Sequence, residues 1–363
     1  MSRMGYGAWL RSLLSLPGRL FVWLSHPKHN LPPAAISLTE AENLIRHSPR
    51  GNNYLALEPE ISGFGDQSGY LGYATLGTTL LSVGGIHGKD RIDALSTWKK
   101  QSLEAGFKRL LLFPVLSHER VQYEEEGFKS IHVGSEALID VQKFHLSGRP
   151  RRNLRQTIQR ANRDNQLVLK ETPNEDIPQL RKVFEEWLDS RIRDFRMKVL
   201  VGSPGFDEPF RRRFFTCFNN ELPVAFITIT PGWNEKGWGM DIMARSPQAP
   251  PGVMEWLIAQ TIEQLRGEGA ETFSLGACPM RLIESRSPDE SRILRFAFEG
   301  LYKGYLGGRL FRFRELARFK EKFRPTWIPI YFGGYPNVSV RALYDGCRMW
   351  GLFDSVDLPS SQK

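Results

Sequence analysis

The chain has 363 residues, 41% of them hydrophobic and 25% charged, and this balance excludes an intrinsically disordered protein. Its net charge of +9 favours anionic partners, namely nucleic acid, an anionic membrane surface or a phosphorylated substrate, although a basic enzyme with none of these is an equal alternative. The three cysteines are far apart and the seven histidines lack metal-ligand spacing, which argues against a disulfide framework and against a metal site.

The N-terminal stretch AWLRSLLSLPGRLFVWL, at residues 8–24, is the best candidate for a membrane segment, but Arg11, Pro17 and Arg19 interrupt it. It does not reach the ~20 apolar residues that a membrane-spanning helix needs. Its mixture of Trp, Leu, Phe and Arg fits an amphipathic arm lying on a membrane, and equally an arm that packs on the protein's own surface. Residues 1–33 are therefore predicted to form an N-terminal arm and linker.

Residues 34–146 are predicted to form a first mixed α/β lobe. SLTE at residues 37–40 is a capping box, which starts a helix that runs to about Ser48. Residues 69–86 carry aromatic and β-branched residues between glycines, which predicts two hairpin strands. This half is completed by a helix ending at Gly106, the buried strand RLLLFPV, a helix beginning with SHER and the extended stretch SIHVGSEALIDVQ.

Residues 166–350 repeat this order and are predicted to form a second, catalytic lobe. Its strands are QLVLKE, LPVAFITIT, KGWGMDIM, TFSLGA and WIPIYFGG, and its helices are DIPQLRKVFEEWLDSRI, GVMEWLIAQTIEQLRGEG, SRILRFAFEGLYKGY and RFRELARFKEKF. Helices and strands mixed in this order predict an α/β (mixed α+β) fold of two similar lobes. A basic helix at 147–165 connects the lobes, and 351–363 is a C-terminal tail.

The connecting segment RRNLRQTIQRANR places Leu154, Ile158 and Ala161 on one apolar stripe and its arginines mostly elsewhere. A second basic cluster, RLFRFRELARFKEKFR, lies at residues 309–324, and a shorter one, RRR, lies at 211–213. Arginine binds phosphate oxygens through a planar fork, so two such helices favour an extended polyanion. The sequence does not distinguish nucleic acid from anionic lipid, and a solvated charged face is the plain alternative.

Four stretches resemble, in order, motifs of the multiple-peptide-resistance-factor family, the bacterial aminoacyl-phosphatidylglycerol synthases. IDVQKFHLSGRPRRNLRQTIQRANRDN is similar to the family block VDL..F.L.GK.RRNLR.A..RA.R, and GMDIMARSPQAPPGVMEWLI to SIDLMR..PDAPNG.MDFL. TFSLGACPM is similar to FNLGMAPL, and RELARFKEKFRPTWIPIYF to GLRRFKEKFDPVWEPRYL. The resemblance covers roughly residues 70–345.

This resemblance implies tandem GNAT-like acyltransferase lobes that transfer an aminoacyl group from an aminoacyl-tRNA to a membrane lipid hydroxyl. Phosphatidylglycerol is the default acceptor, lysyl or another aminoacyl group is transferred, and aminoacyl-tRNA is a co-substrate with no further cofactor expected. The [QR]-x-x-G-x-[GA] loop of acyl-CoA enzymes is missing before the helix GVMEWLIAQTI, where the chain reads QAPPG, and this argues against a CoA donor. The chain is expected in the cytoplasm, with peripheral contact to the anionic phospholipid of the inner membrane face.

Alternative functions stay open from the sequence. The same tRNA donor can serve a soluble small-molecule acceptor, and the basic helices alone fit a non-catalytic RNA-binding or membrane-binding protein. An acyl-CoA transferase is a further alternative. The identity of the transferred amino acid and the oligomeric state are not encoded in any pattern found here.

Asp241, in MDIMA, matches the aspartate of the family motif, so the resemblance implies that it polarises the acceptor hydroxyl or holds the donor's α-amine. The family has an arginine three positions further on, where this chain has Ala244 followed by Arg245. Arg245 is therefore a second catalytic candidate, and Glu299, in FAFEG, is a weaker third one.

The resemblance also implies contacts to phosphate or to the tRNA end from basic residues of both clusters. Gly276, in SLGACP, is expected to permit close backbone approach at a strand end, and Phe313 to lie near the pocket. The neighbouring Cys278 is expected to be a small buried side chain rather than a nucleophile. The predicted basic contacts are Arg151, Arg152, Arg155, Lys320, Lys322 and Arg324.

Overall fold

The computed structural model describes residues 30–46, 48–163, 165–173, 177–190, 204–206, 212–233, 235–281 and 313–350. Most of the predicted N-terminal arm, the predicted helix at 291–305 and the C-terminal tail lie outside these residues. Within the described ranges, no helix combines the length and the apolar character that crossing a membrane requires.

The described helices and strands include the predicted ones that fall in the described residues, in the predicted order, and add the strands Ser62–Gly65 and Arg213–Asn219 and the helix Val340–Met349, which the sequence did not predict. The helices are α1 (Leu38–Arg46), α2 (Arg91–Glu104), α3 (Arg120–Glu125), α4 (Arg152–Arg163), α5 (Ile177–Asp189), α6 (Val253–Gly267), α7 (Phe313–Glu321) and α8 (Val340–Met349). The strands are β1 (Ser62–Gly65), β2 (Gly69–Leu76), β3 (Thr79–Gly88), β4 (Arg109–Leu116), β5 (Lys129–Asp140), β6 (Leu167–Glu171), β7 (Arg213–Asn219), β8 (Leu222–Pro231), β9 (Gly237–Arg245), β10 (Thr272–Pro279) and β11 (Thr326–Tyr335).

Local sequence signals explain where several of these elements begin. The backbone N–H of Ser37 donates to Glu40 Oε2 at 2.8 Å, and the N–H of Glu40 donates to Ser37 Oγ at 3.3 Å. This reciprocal pair is the predicted capping box at the start of α1. Gly106, two residues after α2, has a φ of 94°, a left-handed conformation that glycine adopts without strain and that ends the helix.

All described strands belong to one sheet, in the order β1-β2-β3-β4-β11-β5-β10-β9-β8-β7-β6. The pairs β3–β4 and β9–β10 are parallel, and the remaining neighbours are antiparallel. The chain between the two strands of each parallel pair contains a helix, α2 in the first half and α6 in the second. This twice-repeated arrangement confirms the predicted mixed α/β class with two similar halves.

The C-terminal part of the chain completes the first half of the sheet. β11 lies between β4 and β5, and α8 packs on β2, β3 and β4. In α8, the buried Asp345 accepts hydrogen bonds from Thr79 Oγ1 at 2.8 Å and from Arg109 Nε at 3.2 Å. The predicted boundaries at 34–146 and 166–350 remain a prediction, because residues 326–350 pack against strands of the first half and the sheet is continuous.

Two helical layers cover opposite faces of the second half of the sheet. On one face, α4 and α6 share a core with β5 and β10, and the predicted stripe of Leu154, Ile158 and Ala161 is buried there. On the other face, α5 packs against β7, β8 and β9 around Phe214 and Phe226. We call these the α6 face and the α5 face.

The segment at residues 48–58 of the first half lies against the second half. Asn53 Nδ2 donates to the carbonyl oxygen of Ile45 at 2.8 Å and to that of Pro231 at 3.2 Å, and Trp233 N donates to Ser48 O at 2.9 Å. A β-carbon placed at Gly239 of β9 would overlap the carbonyl oxygen of Gly51. The two backbones therefore approach closely because neither position carries a side chain.

We predict that Gly239→Ala lowers the free energy of unfolding by roughly 2–3 kcal/mol, because the added methyl group forces the two backbones apart. The matched control is Gly267→Ala at the end of α6, where an added β-carbon meets nothing within 4 Å. That change should raise the free energy of unfolding by up to about 1 kcal/mol through helix propensity. Urea denaturation measures both, and equal effects at the two positions would contradict the close approach.

Candidate functional site

A β-bulge places Asp241 on the α5 face of the sheet. Met243 of β9 pairs with Ile227 of β8 and Met240 pairs with Ile229, so two residues of β9 oppose one residue of β8. That single residue is Thr228, and its Oγ1 accepts a hydrogen bond from the N–H of Ile242 at 3.0 Å. The extra residue reverses the alternation of side chains along β9. Met240 therefore packs on the α6 face, whereas Ile242 packs on the α5 face.

The carboxylate of Asp241 is held by Arg212, the residue before β7. Arg212 Nε donates to Asp241 Oδ2 at 2.7 Å, and Arg212 Nη2 donates to Glu58 Oε1. The side chains of Glu58 and Arg212 are 5% exposed and that of Asp241 is 12% exposed. A buried guanidinium thus links one carboxylate from each half of the chain.

Burial raises the pKa of Asp241 from an ordinary value of 3.8 to about 6. The charge and hydrogen bond of Arg212 oppose this rise, while the negative charge of Glu58 adds to it. Since Arg212 is shared between two carboxylates, it does not hold Asp241 in the strongly acidic state of a simple salt bridge. Asp241 can therefore gain and lose a proton near neutral pH.

Arg245 does not join this cluster. Ala244 packs on the α5 face, so strand alternation directs Arg245, the last residue of β9, to the opposite face, where it is exposed. The guanidinium that contacts Asp241 is instead that of Arg212. In the sequence, Arg212 stands out only as part of the RRR cluster, and neither Arg212 nor Glu58 was a predicted site residue.

β10 runs beside β9 and contributes the backbone around Gly276. Gly276 has a φ of 81° at a register shift in β10, and a β-carbon there would lie 3.5 Å from Met240 O, one residue before Asp241. Lys320 Nζ donates to the carbonyl oxygens of Gly276 and Ala277 at 2.9 and 2.8 Å. Gly276 thus brings the backbone next to the Asp241 strand.

The Lys320 ammonium is buried, and burial lowers its pKa to about 8. In the described structure it contacts backbone carbonyls, so Lys320 fixes the β10 bulge. Cys278, two residues beyond Gly276, is buried as expected, and burial raises the pKa of its thiol. A thiol with a raised pKa supplies little thiolate, which disfavours a nucleophilic role.

A second buried carboxyl group, Glu136 of β5, lies on the face that contacts residues 48–58. Glu136 Oε1 accepts hydrogen bonds from Ser274 Oγ and from Trp233 Nε1 at 3.1 Å. Burial raises its pKa. Ser274 of β10 pairs with Gly239 of β9, two residues before Asp241, so β10 lies between the strands that carry Glu136 and Asp241. Glu136 was not predicted from the sequence, because a single acidic residue inside the run SIHVGSEALIDVQ belongs to no motif.

Arg151 and Arg324 come from the two predicted basic clusters and lie near each other. Arg151 lies over the ring of Phe144 at 5.0 Å, and its Nη1 donates to His145 O at 2.6 Å. Burial, and then the nearby charge of Arg324, lower the pKa of the Arg151 guanidinium. Arg151 Nε is buried without a hydrogen-bond partner. In the described part of the chain, neither guanidinium has a carboxylate partner, so the pair is a candidate anion site.

The other predicted basic residues have different surroundings. Arg155 Nη1 donates to Leu146 O at 2.6 Å and to Gly148 O at 3.2 Å, which fixes the loop before α4. Arg152 is exposed at the start of α4. Lys322 Nζ donates to Glu255 Oε1 of α6 at 2.7 Å and is half-exposed. The structure therefore brings together Arg151 and Arg324, but not all six candidates.

Two remaining candidates lie wholly or partly outside the described residues. Glu299 lies outside the described residues. Phe313 is the first residue of α7, and its side chain is likewise outside the description. Among the described residues, no three His, Cys, Asp or Glu side chains are grouped so as to hold a metal ion.

Comparison with solved structures shows the same fold in two bacterial proteins. L-PGS from Bacillus licheniformis superposes with a TM-score of 0.72 and 20% identity, covering 90% of this chain and 99% of that one. A C-terminal domain of a candidate lysylphosphatidylglycerol synthetase from Agrobacterium fabrum gives a TM-score of 0.69 at 23% identity, covering 85% of this chain and 95% of that domain.

Sequence comparison finds relatives of the same kind. Phosphatidylglycerol lysyltransferase from Staphylococcus haemolyticus is 25% identical over 345 residues, 90% of this chain but 39% of that protein. The enzyme of the same name from Bacillus subtilis is 22% identical over 68% of this chain and 28% of its own length. The chain thus spans less than half of the length of these relatives. Residues 48–332 match the family described as phosphatidylglycerol lysyltransferase, C-terminal, and the chain belongs to that family.

Proposed function

We propose that the chain transfers a lysyl or other aminoacyl group from an aminoacyl-tRNA to a hydroxyl group of phosphatidylglycerol. The observation that carries this proposal is the buried Asp241 carboxylate, whose pKa is about 6 and whose Oδ2 is fixed by Arg212. Its other oxygen, Oδ1, has no hydrogen-bond partner among the described residues. Membership of the lysyltransferase family supports the choice of donor and acceptor.

The reaction needs one proton transfer and one acyl transfer. The lipid hydroxyl oxygen forms a bond to the carbonyl carbon of the aminoacyl ester, and the bond from that carbon to the ribose oxygen of the tRNA breaks. Asp241 accepts the proton of the lipid hydroxyl and returns it to the departing ribose oxygen, so no proton is gained or lost. The ester is already activated, and the protein's main contribution is to align hydroxyl and carbonyl.

A pKa near 6 suits this role. A carboxylate with an ordinary pKa would be a weak base, whereas one with a much higher pKa would be protonated at neutral pH. At pH 7 Asp241 is mostly ionised, yet it is more basic than a solvated aspartate. Burial raises the pKa of Asp241 and Arg212 lowers it, and the two effects together produce this intermediate value.

Both substrates carry phosphodiesters, and the Arg151–Arg324 pair supplies unneutralised positive charge for one of them. A guanidinium binds phosphate oxygens through two parallel N–H groups. The buried Nε of Arg151 is one such donor without a partner. The exposed arginines of α4, such as Arg152 and Arg160, extend the basic surface for a longer polyanion.

The direct test is incubation of the protein with radiolabelled aminoacyl-tRNA and phosphatidylglycerol vesicles. We expect labelled lipid to form with at least one aminoacyl-tRNA, detected by chromatography of the lipid extract. Label that reaches only a soluble hydroxyl or amine compound would replace the lipid acceptor. No transfer from any aminoacyl-tRNA would reject the proposal.

We predict that Asp241→Asn lowers the rate of transfer about 10²–10⁴-fold, because the amide cannot accept the proton. In the unmodified chain, kcat/KM should rise with pH through about 6, as the carboxyl group of Asp241 ionises. The measurement is the initial rate between pH 5 and 8. A rate that is independent of pH across this range would contradict the assignment of Asp241 as the base.

The same change should alter the free energy of unfolding in a pH-dependent way. The pKa of Asp241 is raised on folding, so its contribution to stability is full below about pH 4 and is lost as the pH rises through 6. Asn carries no charge at either pH. From pH 4 to pH 7, the free energy of unfolding of Asp241→Asn should therefore gain up to about 3 kcal/mol relative to the unmodified chain. Urea unfolding at both pH values measures this gain. If no gain is found, burial does not raise the pKa of Asp241.

We predict that Arg151→Gln and Arg324→Gln each reduce kcat/KM about 10-fold or more and weaken the dependence of kcat/KM on salt, because each removes a phosphate partner. Lys108→Gln, an exposed change of equal charge in the first half, is the control. A similar loss in all three variants would show a general effect of net charge rather than a phosphate site.

A further inference from the structure

We propose that Glu58, from the first half of the chain, is a positioning residue that acts on Asp241 through Arg212, so that the site is complete only when both halves are docked. This inference rests on the proposed function, in which Asp241 is the base. Neither Glu58 nor Arg212 belongs to one of the sequence motifs that predict catalytic residues.

The geometry makes Arg212 a bridge rather than a surface ion pair. Its Nε and Nη2 groups donate to Asp241 and Glu58, respectively, and all three side chains are almost fully buried. Two bonds from different nitrogens fix the orientation of the planar guanidinium. Because Oδ2 of Asp241 is held, its other oxygen is directed to a defined position, where the acceptor hydroxyl would bind.

The backbone of Glu58 is fixed by the turn that precedes it. Glu58 follows the turn of 3₁₀ helix at Asn53–Leu57, and its backbone N–H donates to Leu55 O at 3.4 Å. The same turn is attached to β8 by the hydrogen bond from Asn53 to Pro231 O. A shift of the first half relative to β8 would therefore move Glu58, and with it the guanidinium of Arg212.

One guanidinium, that of Arg212, lies between the carboxylates of Glu58 and Asp241. On neighbouring elements, Glu186 of α5 accepts a hydrogen bond from Ser246 Oγ at 2.6 Å, and Lys320 donates to the carbonyls of β10. Glu58 and Arg212 therefore dominate the electrostatic surroundings of Asp241.

Opposite shifts of the pH profile test the proposal. In Glu58→Gln, the loss of a negative charge should move the rise of kcat/KM to lower pH, on the order of one pH unit. In Arg212→Gln, the loss of a positive charge should move it to higher pH by a similar amount. In Arg212→Lys, the charge is kept but the second hydrogen bond is lost, so kcat should fall about 10-fold or more with a smaller shift.

The matched control is Arg213→Gln at the next position. Arg213 also bridges two carboxylates, those of Glu171 and Glu268 at 2.7 and 2.6 Å, but it lies outside the site and stacks on Phe215 of the α6 face. The variant Arg213→Gln should therefore leave the pH dependence of kcat/KM unchanged. If Glu58→Gln and Arg213→Gln change stability alike and neither moves the profile, Glu58 only holds the halves together and the proposal is overturned.

A readout that does not use activity separates this proposal from the proposed function. At each pH, the free energy of unfolding is measured with and without Asp241→Asn, in the unmodified chain and in Glu58→Gln. In each background, the effect of Asp241→Asn on the free energy of unfolding changes with pH, and the pH at which it changes reports the ionisation of Asp241. We expect this pH to fall in Glu58→Gln even if no aminoacyl transfer is detected, and an unchanged value would reject the coupling between Glu58 and Asp241.

Discussion

The guanidinium of Arg212, buried between the carboxylates of Glu58 and Asp241, is the interaction on which the account of this protein depends. A buried charge is costly unless it is paired, and here the pairing partners come from the two halves of the chain. The second half alone would leave Arg212 with one partner and Asp241 with a different ionisation. The ionisation of Asp241 thus depends on the docked halves and not on one strand alone.

The rest of the fold serves to keep that cluster in place. A single sheet runs through both halves, and β11 returns to pair with β4 and β5 of the first half. Glycines at positions 51 and 239 let the segment at 48–58 approach β9 at backbone distance. The bulge in β9 then turns Asp241 towards this segment, while the apolar residues on either side remain buried in the two helical layers.

Much of the fold could be predicted because its signals are local. The capping box at Ser37, the apolar stripe of α4 and the glycine after α2 lie within a few residues of the structure that they specify. β7 was missed because Phe214 and Phe215 are buried on opposite faces, so no alternation is visible. α8 was missed because its inward side includes the polar Asp345.

The candidate site was predictable only where a motif marked it, as for Asp241. Glu58 and Arg212 are 154 positions apart, and the bulge that separates Arg245 from Asp241 has no sequence signal. The central claim concerns the ionisation of Asp241, which ¹³C NMR can measure in protein labelled at the aspartate carboxyl carbon, with the signal assigned by its loss in Asp241→Asn. The account predicts a titration midpoint of about 6. A midpoint at or below the ordinary value of 3.8 would contradict it.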